Sequence, residues 1–342
     1  MKRVVTSAIL PLALLLLTLP PVGVGFAAEK PLRLSYSIFF PPAHGQAATA
    51  MAWAKEVEKR TGGRVVIDTF PGGTLTPAAD CYDGVVNGIS DIGMSCFAYT
   101  RGRFPVMEAL DLPMGYPSGH AATQTANDFF RVMNPKELAD VKVLYLHAHG
   151  PGLLHTKTPV SRMEDLKGMK IRSTGFSAKV TQALGAIPVA MPQGETYEAL
   201  QKGVVNGTFT PIETLKGWKQ AEVIKATTDC PAIGYTTAMF VVMNRDKWNA
   251  LPEDIKKVFD DLNREWIGKH GTEWDRLDEE GKSYSLGQEN KIIPLTAAES
   301  QRWVAAVKPI IDEYRQQANA KGLPGDQAVA ELQKLLHKPT KP

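Results

Sequence analysis

Arg172 is the residue whose type and position most directly suggest chemistry. It closes the short run Lys170-Ile171-Arg172 and is followed by Ser173-Thr174-Gly175 and the start of a helical pattern. A guanidinium is a rigid fork of donors matched to a carboxylate. A helix N-terminus beside it adds partial positive charge and N–H groups without partners. The combination suits an organic anion, and a surface ion pair is the competing reading. His147 and His149 stand two apart in a β-branched run and so share a strand face. With a third donor such as His155 they would form a metal site, but packed or hydrogen-bonded hinge residues are the expectation. The acidic pairs Asp260-Asp261 and Glu279-Glu280 lie in charged helical stretches and are expected on solvated faces.

Several enzyme signatures are missing. The chain has no Gly-x-Ser-x-Gly elbow, no His-Glu-x-x-His pair and no Gly-x-x-x-x-Gly-Lys-Ser/Thr phosphate loop. Gly150-Pro151-Gly152 lacks the third glycine of a dinucleotide loop. Cys81, Cys96 and Cys230 contain no Cys-x-x-Cys pair, and an odd number leaves at least one free thiol. Buried free cysteines are expected, with a Cys81–Cys96 bridge left open.

The elements that would position Arg172 follow from periodicity and punctuation. Leu32 to Ser37 alternates and predicts a first strand, and Arg64 to Phe70 a second, stopped by Pro71-Gly72-Gly73. Helices are expected at about 46–60, 77–86, 176–185 and 195–202. Val141 to His149 reads as a strand leaving a first lobe, and Tyr235 to Asn244 as a strand returning to it. Ser161-x-x-Glu164 and Thr296-x-x-Glu299 are capping boxes. Ile255, Val258, Phe259, Leu262 and Trp266 share one helical face. Trp303, Val307, Ile310 and Tyr314 do so later, with Pro309 expected to bend that helix.

Gly-Val-Val-Asn-Gly occurs twice, at 84–88 and 203–207. Each copy is expected to close a helix and lead into a short strand, which predicts two lobes with one β-α-β plan. Two strands crossing between lobes make a hinge, and a hinge permits closure around a ligand.

Lys2 and Arg3, an apolar run from Ile9 to Leu19 and Gly25-Phe26-Ala27 together read as a secretory signal peptide cut after Ala27. Residues 1–27 hold two basic and no acidic residues, so the formal charge of +3 falls to +1 without them. A nearly neutral protein lacks the electrostatic footprint of a nucleic-acid binder.

Four motifs stand in order along the chain: Phe70-Pro71-Gly72-Gly73-Thr74-Leu75, Gly88-Ile89-Ser90-Asp91-Ile92, Leu110-Asp111-Leu112-Pro113, and Leu166-Lys167-Gly168-Met169-Lys170-Ile171-Arg172 followed by Glu195-x-Tyr197-x-Ala199-Leu200-Gln201-x-Gly203-Val204-Val205-Asn206-Gly207. From about Leu32 to Trp303 the chain resembles the dicarboxylate-type solute-binding subunit of tripartite ATP-independent periplasmic (TRAP) transporters. The resemblance implies an α/β, two-lobed periplasmic-binding-protein-like fold (type II) with hinge strands and long C-terminal helices. The expected layout is lobe I over 28–149 and 235–251, lobe II over 150–234 and 282–296, a hinge-spanning helix over 252–281 and C-terminal helices over 297–342.

The resemblance also implies that Arg172 pairs with a substrate carboxylate. Thr210 stands before Pro211, where the family often has asparagine. Gly152-Leu153-Leu154-His155 lacks the second arginine that some members carry, and Asn206 replaces the usual aspartate. These departures point to a monocarboxylate. His44, Tyr99, Glu213 and Thr237 are expected polar cleft partners. Phe39, Phe40, Phe97, Tyr99, Phe209 and Tyr235 are aromatic candidates for stacking on a ligand. The implied role is periplasmic capture of a small organic acid for TRAP membrane subunits, with no cofactor, metal or catalysis. A binding protein for another transporter or a sensor kinase, and a periplasmic enzyme, stay open as alternatives.

Overall fold

The computed structural model describes residues 30–337, so the expected signal peptide and residues 338–342 lie outside the described residues. Eleven strands occur among them: β1 Leu32–Ile38, β2 Val65–Phe70, β3 Ile92–Cys96, β4 Val141–Ala148, β5 Gly152–Thr156, β6 Lys170–Arg172, β7 Ile187–Val189, β8 Gly207–Pro211, β9 Ala226–Asp229, β10 Ala238–Asn244 and β11 Lys291–Pro294. They build two sheets within one contact unit that begins at Pro31. The first runs β2-β1-β3-β10-β4 and the second β7-β6-β8-β5-β9-β11.

In each sheet three parallel strands are followed by one antiparallel strand, β10 in the first and β5 in the second, and beyond it the strands run with the core again, β4 in the first and β9 and β11 in the second. The chain changes sheet twice. It passes from β4 through residues 149–151 into β5, and from β9 through residues 230–237 into β10. Each antiparallel strand beside a parallel core is therefore donated by the segment arriving from the other sheet.

Helices α1 Gly45–Arg60, α2 Cys81–Val86, α3 Gly119–Met133, α4 Ser177–Ala183, α5 Gln193–Gln201, α6 Thr214–Gly217 and α7 Arg245–Asn249 connect the strands. Helix α8, Glu253–Gly287, has 35 residues and spans about 52 Å at the usual rise. It packs on α1, α3 and β4 at the first sheet and on α6 and β11 at the second. Helices α9 Ala297–Val307, α10 Pro309–Ala320 and α11 Gly325–Leu336 bury Trp303, Val307, Ile310 and Tyr314. Pro309 separates two helices rather than bending one. It occupies the first turn of α10, where a missing N–H costs nothing.

The five-residue repeat does not mark equivalent positions. Its first copy lies in and just after α2, and its second begins beyond the end of α5. The structural repeat is offset by four residues: Gly88-Ile89-Ser90-Asp91 matches Gly203-Val204-Val205-Asn206. Gly88 and Gly203 both take left-handed backbone, at φ 73° and 75°. The next two N–H groups return to Gly84 O in one case and Ala199 O in the other. Asp91 Oδ2 then accepts from Ser35 N of β1 at 2.7 Å, as Asn206 Oδ1 accepts from Lys170 N of β6 at 2.8 Å. The inference of one plan used twice holds, in a different register.

Three further expectations are corrected. Helix α2 starts at Cys81, because the preceding Pro77–Asp80 stretch forms turns. Ser161 and Glu164 do not form a box. Asp165 Oδ2 takes the N–H groups of Ser161 and Arg162 at 2.9 and 3.1 Å, and Glu164 turns to Arg302. The expected strand from Tyr235 begins only at Ala238. All three cysteines are buried and free, and burial pushes the Cys81 and Cys230 thiols up to about 12.

Candidate ligand-binding site

The C-terminal ends of both parallel strand sets face a common cleft, the place where open α/β sheets receive ligands. A cavity lies there, with about 390 Å³ of space between the atoms, part of it open to solvent. The first sheet supplies Phe39 and Phe40 after β1, Tyr99 after β3, His149 after β4, and Thr237 and Met239 at β10. The second supplies Arg172 at the end of β6, Gln193 at α5, Thr210 and Glu213 at and after β8, and Trp218 after α6. Trp274 reaches in from α8.

Arg172 is 4% exposed. Its Nε and Nη2 both donate to Met191 O, at 3.0 and 2.9 Å. One carbonyl thereby orients the guanidinium and leaves Nη1 without a protein partner. Among the described residues no carboxylate lies within ion-pair distance of it. A buried cation without a counter-ion is costly, and a bound anion removes that cost.

Glu213 presents the opposite chemistry. Its Oε2 lies 2.9 Å from His44 Nε2. His44 Nδ1 accepts from Gln46 N at 3.1 Å, capping α1, so the ring hydrogen sits on Nε2 and is donated to Glu213. This bond joins the two sides of the cleft across 169 positions of sequence. Gly217 permits it, since a Cβ there would stand 2.6 Å from Glu213 Oε2 and 2.8 Å from His44 Nε2. Glu213 N in turn donates to Asp278 Oδ1 of α8 at 3.1 Å. Burial, then the neighbouring Glu213 charge, holds the Asp278 carboxyl well above the usual carboxylate range.

Rings form the remaining wall. Phe39 and Phe40 lie with centroids 4.0 Å apart, and Trp218 stacks on Phe39 at 6.2 Å and 22°. The Pro71-Gly72-Gly73 turn fixes this pair. Gly72 N donates to Phe40 O and Gly73 N to Ile38 O, at 2.7 and 3.0 Å, with both glycines at positive φ. Tyr99 Oη accepts from Gln193 N at 3.2 Å, a second bond across the cleft. Tyr235 Oη donates to Phe209 O at 2.8 Å.

Of the residues singled out by sequence, Arg172, Thr210, Tyr99, Glu213, Phe40, Phe39, Tyr235 and Thr237 line the cavity. His44 does not; it stands behind Glu213 as its donor. Phe97 packs on Phe104 and Phe240, and Phe209 is fully buried under Tyr235, so both are core residues. His147 and His155 also lie in the interior. His147 stacks on His270 at 4.5 Å and accepts from Trp274 Nε1, while His155 bridges Thr227 and Thr210 O. His149 alone of the three reaches the cavity. Among the described residues no cluster of three metal-ligating side chains occurs.

Trp218, Trp274, Met239 and Gln193 carried no sequence signal for the site. Trp274 continues the apolar face of Phe259 and Trp266, a spacing that announces burial but not which cavity it borders.

Three solved structures are similar to this one over most of their length. A marine metagenome TRAP solute-binding protein specific for aromatic acid ligands, in complex with 3-hydroxybenzoate, is 29% identical with a TM-score of 0.87, covering 92% of this chain and 100% of that one. A TRAP solute-binding protein from Rhodoferax ferrireducens with copurified benzoate is 29% identical with a TM-score of 0.84, covering 89% and 97%. One from Bordetella bronchiseptica with bound (R)- and (S)-mandelate is 30% identical with a TM-score of 0.83, covering 90% and 99%. The family model of bacterial extracellular solute-binding protein family 7 matches residues 36–317. The two-lobed fold, the cleft between its sheets and this match establish that the chain belongs to that family, the solute-binding proteins of TRAP transporters.

Proposed function

We propose that this protein captures one small aromatic monocarboxylate per chain and delivers it to TRAP membrane subunits. The observation that carries this reading is Arg172: a buried guanidinium with a free edge in a ring-walled cavity. A ligand carboxylate supplies the missing counter-charge, and stacking on Phe39, Phe40 and Trp218 favours an aromatic body. Glu213 in the same cavity opposes a second carboxylate, because like charges at short range in a buried site are strongly unfavourable. The acids named for the three similar structures are aromatic monocarboxylates as well.

The setting follows from the family. Its members are extracellular solute-binding proteins, and no described helix is long and apolar enough to cross a membrane. The leader-like N-terminus supports export to the periplasm through a cleaved signal peptide. The family's members bind solutes, and Arg172 with the surrounding rings suits the cavity to holding an anion.

The test is calorimetric titration of the purified protein with benzoate and with succinate, alongside mass spectrometry of any acid released on denaturation. Saturable binding of one benzoate per chain is expected, with succinate at least about tenfold weaker. Equal or tighter succinate binding would overturn the monocarboxylate reading.

A further inference from the structure

His149 follows β4 where the chain first leaves the first sheet, and the residue is 3% exposed at the cavity wall. Its Nδ1 lies 2.5 Å from Gly150 O. A carbonyl oxygen only accepts, so Nδ1 carries a hydrogen. Burial, opposed by that hydrogen bond but reinforced by the Arg172 charge, pushes the imidazole down to about 4. The ring is therefore neutral near pH 7, and Nε2 holds a lone pair and no hydrogen. Nε2 has no hydrogen-bond partner among the described residues. Edge-to-face contacts with Tyr235 at 5.6 Å and Trp274 at 6.2 Å fix the plane of the ring.

Among the other polar groups of the cavity, the Thr174 and Thr237 hydroxyls rotate and can give or accept, and Arg172 only gives. Glu213 also only accepts, but its Oε2 is already engaged by His44 Nε2 at 2.9 Å. His149 Nε2 only accepts. His149 and Arg172 line the same cavity, so this acceptor shares the pocket in which Arg172 would hold the ligand carboxylate. A hydroxyl on the neighbouring carbon would donate to it. A keto oxygen there would set lone pair against lone pair and leave a buried acceptor unpaired.

We propose that His149 is a specificity-determining residue that selects 2-hydroxy acids over 2-oxo acids of the same skeleton, through the accepting Nε2 that Gly150 O leaves facing the cavity. This deepens the proposed function and rests on Arg172 holding the carboxylate.

Mandelate and phenylglyoxylate share a ring and a carboxylate and differ only in the 2-hydroxyl against the 2-oxo group. Calorimetric titration of the full protein at pH 7.5 with each, and with benzoate as reference, tests the proposal without any variant. The better-bound mandelate enantiomer is expected to bind about tenfold or more tightly than phenylglyoxylate, the usual cost of stranding a buried acceptor. His149→Phe keeps an aromatic ring and removes the acceptor, and is expected to bring that ratio to about one. Equal binding of the two acids by the wild type, or tighter phenylglyoxylate, overturns the proposal while benzoate binding leaves the carboxylate reading intact. An unchanged ratio in His149→Phe also overturns it, because a merely structural role lowers both acids together. Failure of all three acids to bind removes the carboxylate reading itself, and this proposal with it.

Discussion

The two sides of the cleft share a strand order but bring different chemistry to it. The first sheet contributes rings: Phe39, Phe40 and Tyr99 follow its parallel strands directly. The second contributes charge: Arg172 ends β6 and Glu213 follows β8. The rings are held by other rings and by a glycine turn, so their positions are set by packing. The charged groups are held by directed bonds, Arg172 to Met191 O and Glu213 to His44. A duplicated scaffold has thus been divided between bulk attraction, which tolerates many ring shapes, and directional recognition, which requires an anion. Trp218 and His44 are the crossing members, each facing residues of the opposite sheet.

That division can be broken at its charged half first. Arg172→Ala is expected to weaken aromatic monocarboxylate binding at least about a hundredfold, roughly 3 kcal/mol, since the ligand carboxylate would be buried without its partner. Calorimetric affinity within about threefold of wild type would show that the charged half does not seat the carboxylate. The crossing ring comes next. Trp218→Ala is expected to cost about 1–2 kcal/mol in benzoate affinity, because it strips one face of the ring wall. The same change should matter less for an aliphatic monocarboxylate, and an equal loss for both would argue that Trp218 acts on closure rather than on stacking.

The smallest expected effect concerns the shared scaffold. Asn206→Ala should lower unfolding stability by about 1 kcal/mol, one side-chain bond to a strand N–H. Asp91→Ala should cost somewhat more, because Asp91 also holds Ser35 Oγ at 3.0 Å and pairs with Lys247 at 3.1 Å. Chemical denaturation of both variants compares the halves directly. A negligible change at one position only would mean that the two copies are equivalent in geometry but not in stability.

Much of the scaffold was legible because its signals are local. The Leu32–Ser37 alternation, the Thr296 cap and the Pro71-Gly72-Gly73 turn each act within a few residues. The repeat shows the limit of such reading. Identical letters at 84–88 and 203–207 drew attention to the right elements, but hydrogen bonding aligns Gly88 with Gly203, where the two sequences differ in all of the next three residues. Backbone geometry asks only for a glycine at positive φ, a side-chain acceptor three positions on and a buried residue between, so side chains drift while the shape persists.

The sequence by itself determined the elements, the two-sheet plan and the placement of Arg172 at a strand end before a turn, because periodicity, capping and turn chemistry are short-range. Tertiary structure decided which rings face the cleft. Phe97 and Phe209 went to the core, while Trp218 and Trp274 came to the wall. It also joined His44 to Glu213 and left His149 with a single accepting nitrogen at the cavity. A ring or an imidazole carries the same letter in core and cleft, and only the pairing of strands distant in sequence sets which side it faces.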